Sequence, residues 1–233
     1  MNCELPLTLR LSKMVDLIPP CRCLCDVGTD HAYLPIAALR SNKAEFAYAT
    51  DVNDGPLQRA TMNGRLYGVA DKMEPRLGDG LAPVDGISVD VITIAGMGGQ
   101  LIIDILARGE ATVNRCKCLI LQPMREVEAV RTHLVDKAIH FTETIIKEDR
   151  RYYHIICAHP AERHNAAYND LELFYGFPWL ENCELFFEEA TRLVSDLMRI
   201  ESGITTDNPQ SLERKLDCRR KREYLQGVLE NAG

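Results

Sequence analysis

Cys23-Leu24-Cys25-Asp26-Val27-Gly28-Thr29-Asp30-His31 is the stretch that decides the fold: an apolar run passes into a tight glycine turn and then into a helix. Leu24 to Val27, flanked by small cysteines, suits a buried parallel strand, and Gly28 lets the backbone come close to a ligand at the strand's carboxyl end. Asp26 and Asp30 accept hydrogen bonds, so the turn favours a cationic or hydroxyl-bearing ligand over a pyrophosphate, whose charge they repel. Asp30 serves equally well as a cap for the helix from His31 to Arg40, and the turn alone does not choose between these readings.

Working outward, the same punctuation recurs. Glu45 to Asp51 reads as a second strand with an acid at its tip, about 20 to 25 residues beyond the glycine turn, where a ribose hydroxyl pair is gripped in nucleotide-binding sheets. Asn53-Asp54-Gly55-Pro56 opens a helix running to Tyr67. Met73 to Leu77 is a third strand followed by Gly78-Asp79-Gly80, where Asp79 can reach an adenine amino group; a plain turn also fits. Carboxylates at three successive strand tips point to S-adenosylmethionine. A dinucleotide would call for G-x-G-x-x-G, and Asp30 stands where its second glycine belongs.

Val89 to Ala95 is a fourth strand opening into Gly96-Met97-Gly98-Gly99, a gap cleared of side chains that suits a planar base or simply close helix packing, before a helix from Gln100 to Leu106. Cys118 to Leu121 makes a fifth strand ended by Gln122-Pro123, and Glu126 to Lys137 a helix. Phe141 to Glu148 and Tyr152 to Ala158 form a hairpin about Asp149-Arg150-Arg151. Before the first strand, Leu5 to Leu17 carries apolar residues at helical spacing, with Arg10 and Lys13 on its polar side.

Beyond His159-Pro160 the pattern changes. Phe186, Ala190, Leu193, Leu197, Ile200 and Ile204 form a heptad stripe, and a second helical stretch past Thr205 to Gln210 carries Leu212, Leu216, Leu225 and Val228. The expectation is an antiparallel helical hairpin, which a dimer seam would fit as well. On its second helix Arg214, Lys215, Arg219, Arg220, Lys221 and Arg222 outweigh Glu213 and Asp217, so it is a basic arm able to follow a phosphate backbone or a solvated coiled-coil flank.

The bounds agree with this plan. A chain of 233 residues, 46% hydrophobic and 26% charged, has room for one α/β domain and an appendage. The net charge of −7 argues against a protein that coats nucleic acid broadly, though not against a local basic face. With no apolar run of signal-peptide or membrane-spanning kind, a cytoplasmic protein is expected. The nine cysteines read as reduced core thiols: Cys21, Cys23 and Cys25, like Cys116 and Cys118, alternate within strands and lack the loop of a zinc knuckle, so no metal is expected.

Taken together, Arg10-Leu11, Asp26-Val-Gly-Thr-Asp-His-Ala-Tyr-Leu-Pro35, Asp51-Val-Asn-Asp-Gly-Pro56, Gly78-Asp-Gly-Leu81, Ile94-Ala-Gly-Met-Gly-Gly99 and Leu121-Gln-Pro123 resemble the TrmK family of bacterial tRNA adenine-N1 methyltransferases. The resemblance implies an α/β fold with the Rossmann-like sheet of class I S-adenosylmethionine-dependent methyltransferases over residues 1–160, and a helical coiled-coil domain over 161–233. It implies methylation of adenine N1 at tRNA position 22, with a tRNA partner and no membrane, in a monomer or a weak homodimer through the C-terminal helices. A scaffold that binds tRNA without chemistry, or a methyltransferase of another substrate, is the alternative.

The cofactor set so implied is Arg10, Asp26, Gly28, Thr29, His31, Asp51, Val52, Asn53, Asp79, Gly80 and Ala95, and the catalytic set is Asp30, Gly96 and Met97. His31, Tyr33 and Met97 read first as core or walls of the cofactor site and only second as stacking partners for a flipped base. The chain departs from the family's pattern at Met124, where the family usually has Asn, and at His133 and His154, where it tends to have Trp and Glu.

Overall fold

The computed structural model describes residues 4–164, 167–175, 184–205 and 208–231. The chain divides into two compact units, Met1–Ala166 and Ala167–Gly233. The division falls a few residues later than the expected 160/161 because the last strand of the first unit continues to Arg163.

The first unit is built on one seven-stranded sheet. In chain order its elements are α1 (Leu9–Leu17), β1 (Cys21–Val27), α2 (Tyr33–Arg40), β2 (Ala44–Asp51), α3 (Asp54–Leu66), β3 (Met73–Leu77) and β4 (Val91–Gly98). There follow α4 (Gly99–Arg108), α5 (Glu110–Val113), β5 (Cys118–Arg125), α6 (Val127–Asp136), β6 (Ile139–Glu148) and β7 (Arg151–Arg163). The strand order is β3-β2-β1-β4-β5-β7-β6; the first five run parallel and β7 lies antiparallel to both β5 and β6. This is the doubly wound methyltransferase sheet, and its order reverses between β1 and β4, where open α/β sheets place their ligands. Right-handed crossovers on either side of that point send α2 and α3 to one face, where α1 joins them over Leu24, Ala47 and Ile120, and α4 with α6 to the other.

Local chemistry sets the boundaries, and several differ from the expected ones. Helix α1 starts at Leu9 rather than Leu5 because the Thr8 side chain caps it, accepting from Leu11 N at 3.3 Å; Leu5 and Leu7 still pack on the core. Helix α2 starts at Tyr33 rather than His31, since His31 (φ 40°) and Ala32 (φ 55°) both lie in the left-handed region. No side chain caps it, so Asp30 does not cap this helix. Strands β4 and β5 run on through Gly98 and Arg125, beyond their expected ends at Ala95 and Leu121. Their tips stay paired, Ala95 with Gln122 and Met97 with Pro123, across a bulge at Gly96 (φ 76°). The β6–β7 hairpin turns on Asp149 and Arg150, both at positive φ (48° and 64°), the geometry of a two-residue turn that matches strand twist.

The second unit contains α7 (Asp170–Phe174), α8 (Glu184–Gly203) and α9 (Pro209–Asn231). Asn169 and Glu172 form a reciprocal capping box on α7. Tyr175 stacks on Phe186 at 5.0 Å between ring centroids, and its hydroxyl meets the Glu189 carboxylate at 3.0 Å. Helix α9 begins on Pro209, whose missing N–H is no loss in a first turn. Glu201 near the end of α8 receives Arg219 (2.8 Å) and Arg222 (3.3 Å) from α9, as an antiparallel pair requires. Phe186, Ala190, Leu197 and Leu225 are buried, whereas Ile200, Leu212 and Leu216 stay exposed, so only part of the expected stripe lies in the helix seam. Thr206 and Asp207, in the expected connection, lie outside the described residues. Among the described residues no helix is long and apolar enough to cross a membrane.

Candidate functional site at the strand tips

The turn after β1 is held by its neighbour. Gly28 N and Thr29 N both donate to Thr50 O of β2, at 2.8 and 2.9 Å, and Gly78 N donates to Asp51 O at 2.9 Å. The buried Thr50 hydroxyl reaches Gly80 O at 3.3 Å and Asp26 O at 3.5 Å. The tips of β1, β2 and β3 are thereby fixed as one ledge, with Thr50 as the central tie.

A cavity of about 200 Å³ opens on this ledge, lined among others by Arg10, Asp26, Gly28, Thr29, His31 and Ala95. Asp26 is buried at its back and accepts from the Thr93 hydroxyl of β4 at 2.7 Å. Burial pushes the Asp26 carboxyl up to about 6, against the pull of Thr93. Thr29 Oγ1 lies near the same carboxylate without a well-directed bond to it, and is buried with no hydrogen-bond partner. An unsatisfied hydroxyl beside a buried carboxyl in an open cavity fits a ligand that carries its own donors. The methionine ammonium and hydroxyls of S-adenosylmethionine are donors of that kind.

Gly28 has φ 73°, and a Cβ there would come within 1.9 Å of the terminal methyl of Met97, so the thioether of β4 lies directly on the β1 turn. Asp30 stands at the rim, 69% exposed, with its carboxylate 2.8 Å from Arg59 Nη2 and 3.7 Å from His31 Nε2. His31 stacks on Tyr33 at 5.2 Å and nearly parallel (7°), while Asn63 Nδ2 donates to His31 O at 2.8 Å and pins the left-handed segment.

The remaining expected residues are spread along the ledge. Asp51 is half-buried at the end of β2, and its Oδ1 accepts from Asn53 N at 2.7 Å; Val52 and Asn53 are exposed beside it. Asp79 and Gly80 line a separate cavity of about 320 Å³ with Ile105 and Arg108. There Arg108 holds Asp79 in a fork, at 2.6 and 3.2 Å. The acids therefore fall along one edge, Asp26 and Asp30 in one cavity and Asp79 in the other, with Asp51 at the tip of β2, which pairs between β1 and β3.

Gln122 was not among the expected site residues, yet it organises the β4 side. Fully buried, it accepts through Oε1 from Gly96 N at 3.2 Å and from the Arg10 guanidinium, and it donates through Nε2 to Pro123 O at 2.9 Å. Arg10 in turn lies over the Tyr153 ring, 5.5 Å from its centroid. A polar residue closing an apolar strand immediately before proline was the available signal for it. Thr50 and Thr93 gave a weaker one, single hydroxyls inside buried runs. Met124, the departure beside Gln122, is 44% exposed, with its sulfur 3.7 Å from Gln122 Nε2.

Comparison with known proteins gives this geometry a family. Residues 7–156 match the family described as a methyltransferase domain. A tRNA (adenine(22)-N(1))-methyltransferase of Bacillus subtilis is 32% identical over 236 residues, covering 98% of this chain and 99% of the relative. The crystal structure of the B. subtilis m1A22 tRNA methyltransferase TrmK superposes with a TM-score of 0.86 at 30% identity, over 97% of this chain and 100% of that one. A Streptococcus pneumoniae structure described as a putative tRNA (m1A22) methyltransferase in complex with S-adenosyl-L-methionine gives a TM-score of 0.83 at 29% identity, over 96% and 99% of the two chains. With a matched domain spanning most of its length and a relative of this identity from end to end, the chain belongs to the TrmK family of tRNA (adenine(22)-N(1))-methyltransferases.

Proposed function

We propose that this chain transfers the methyl group of S-adenosylmethionine to N1 of the adenine at position 22 of tRNA. The observation that carries the reading is the β1 cavity, lined by Asp26 with its buried carboxyl and by Thr29 beside it, in a chain of this family. When bound, the cofactor supplies an electrophilic methyl on a sulfonium. Asp26, Thr29 and Arg10 would hold its methionine end, Gly28 and His31 would form the floor and wall, and the Asp51 carboxylate would take the ribose hydroxyls beside Val52 and Asn53. Asp79 and Gly80 face the adenine ring. For Asp79 this means leaving Arg108, an exposed pair whose parting costs little.

Adenine N1 is a neutral lone-pair nucleophile, so what the protein must supply is placement in line with the methyl, and no strong base is required. Ala95, Gly96 and Met97 border the approach, with Gln122 holding Gly96 N–H. Methylation makes the base cationic, and the Asp30 carboxylate with the Ala95 to Met97 backbone stabilises that developing charge. Because N1 lies on the pairing edge the base must be unpaired, and the His31–Tyr33 stack and the flexible Met97 give it surfaces to rest on. The activity goes with a cytoplasmic location and with a monomer or a weak homodimer through the C-terminal helices, where Leu212 and Leu216 are exposed.

Incubation with methyl-labelled cofactor and unmodified bulk tRNA, followed by nucleoside mapping, tests the assignment. The expected product is 1-methyladenosine at position 22. Asp51→Ala should weaken cofactor binding by about 10- to 100-fold, the worth of hydrogen bonds to a charged group. Label appearing on other acceptors and none in tRNA overturns the substrate assignment.

A further inference from the structure

At the sheet edge opposite the strand tips lies a second group of reactive side chains that methyl transfer does not use. Cys118 opens β5 and pairs in register with Val91, the first residue of β4. Leu119 faces Ala158 across the antiparallel β5–β7 ladder, so Cys118, Cys157 and His159 project from the same face. Their ligand atoms converge: the two sulfurs are 3.4 Å apart, Cys157 Sγ is 3.8 Å from His159 Nε2, and all three donors lie within 4.8 Å of one another.

We propose that Cys118, Cys157 and His159 bind a thiophilic divalent cation of the zinc class, which ties β5 to β7. Metal–sulfur bonds of about 2.3 Å and metal–nitrogen bonds of about 2.0–2.1 Å at tetrahedral angles put the donors about 3.5–3.8 Å apart, close to the spacing of the two contacts above. Two thiolates and an imidazole select a soft or borderline ion over magnesium or calcium, which prefer oxygen. Cys118 is buried while Cys157 and His159 are only partly buried, so the ion has one anchored ligand and two nearer the surface. His140, opposite His159 on β6, stacks on it with centroids 6.3 Å apart and steadies the imidazole. On binding, both thiols release their protons to solvent and the neutral imidazole donates a lone pair, so no oxidant or reductant is involved. The ligands come from two strands far apart in sequence. Of the C-x-C cysteines visible in the sequence, Cys118 alone takes part.

The test uses the full chain, reduced and stripped with a chelator, with cobalt(II) as probe and no methyl donor or RNA present. Stoichiometric cobalt should give a thiolate-to-cobalt charge-transfer band in the near ultraviolet and the visible bands of a tetrahedral ion, both lost on adding zinc. Zinc should raise the thermal midpoint of the unaltered protein. Cys157→Ser and His159→Ala should each weaken cobalt binding by at least about tenfold. Cys23→Ser, a half-exposed thiol on β1, should leave the spectrum unchanged. The proposal is overturned by absence of the charge-transfer band in the unaltered protein, by its persistence in the Cys157→Ser/His159→Ala double variant, or by its loss in Cys23→Ser. Recovery of Cys118 and Cys157 as a disulfide from freshly isolated protein overturns it too.

Discussion

Asp26 is a carboxyl whose environment argues with its charge. Burial raises it to about 6 from an ordinary 3.8, so the folded protein keeps a proton that the unfolded chain has already released. The sign for stability follows: between pH 3.8 and about 6 the folded state binds more protons, and stability falls as pH rises through that window. For ligand binding the sign is opposite. An ammonium group prefers the carboxylate, so cofactor affinity should rise by up to about tenfold per pH unit as the pH climbs toward 6 and level off above it. Calorimetric titration of S-adenosylmethionine from pH 5 to 8 measures this, and Asp26→Asn should bind more weakly with a flat profile. A variant that keeps the full pH dependence would show that another group titrates. The sequence placed this acid at the right strand tip, but its proton affinity comes from burial behind β4 and from Thr93, 67 positions away. In the same way Asp30 and Asp79 were legible as acids at turns, whereas the arginines that hold them, Arg59 and Arg108, each come from 29 residues further on.

The elements β6, β7 and α6 enclose an ionic cluster that the strand patterns concealed. Glu143 on β6 is fully buried, receives Arg131 of α6 at 2.8 and 2.7 Å, and shares a very short contact with His154 of β7. Burial alone would raise this carboxyl; Arg131 and His154 overcome it and hold it at about 2, well below its ordinary 4.5. The contribution is therefore complete above pH 4.5 and is lost as pH falls toward about 2. Glu143→Gln takes the Glu143 charge away from the buried Arg131 and should destabilise the protein by about 3–5 kcal/mol in urea unfolding at neutral pH. It should also remove this part of the acid-induced loss. An equally steep decline below pH 4.5 in the variant would place the titrating group elsewhere. Alternation marked β6 and β7 as strands, and the β3 limits were readable to the residue, but pattern could not say that Glu143, His154 and Arg131 would meet. The same limit governs the glycine segment: its composition announced an opening, while the bulge that carries β4 through Gly98 depends on β5 pairing alongside.

For the whole molecule the question is how a chain of net charge −7 engages a polyanion. The six basic residues counted along α9 do not all face outward as free charge. Arg219 and Arg222 are spent on Glu201, Arg220 lies 3.6 Å from Asp217, and Lys221 lies 3.2 Å from Asp217 and 4.5 Å from the Phe174 ring centre. Among the described residues Arg214 and Lys215 make no ion pair, and they are the α9 cations available to phosphate. Each phosphate neutralised releases condensed counterions, so removing two contacts should lower the slope of log affinity against log salt by about 2 and weaken tRNA binding most at low salt. Arg214→Glu/Lys215→Glu, measured by filter binding across a salt series, should produce that change while S-adenosylmethionine affinity, set in the other unit, stays as it was. Arg219→Ala should behave differently: it strips a partner from Glu201 inside the α8–α9 pair and should lower helix stability more than it lowers the salt slope. If the double variant bound tRNA with unchanged slope and affinity, α9 would be a coiled-coil flank and the basic contacts would have to be sought on the sheet unit.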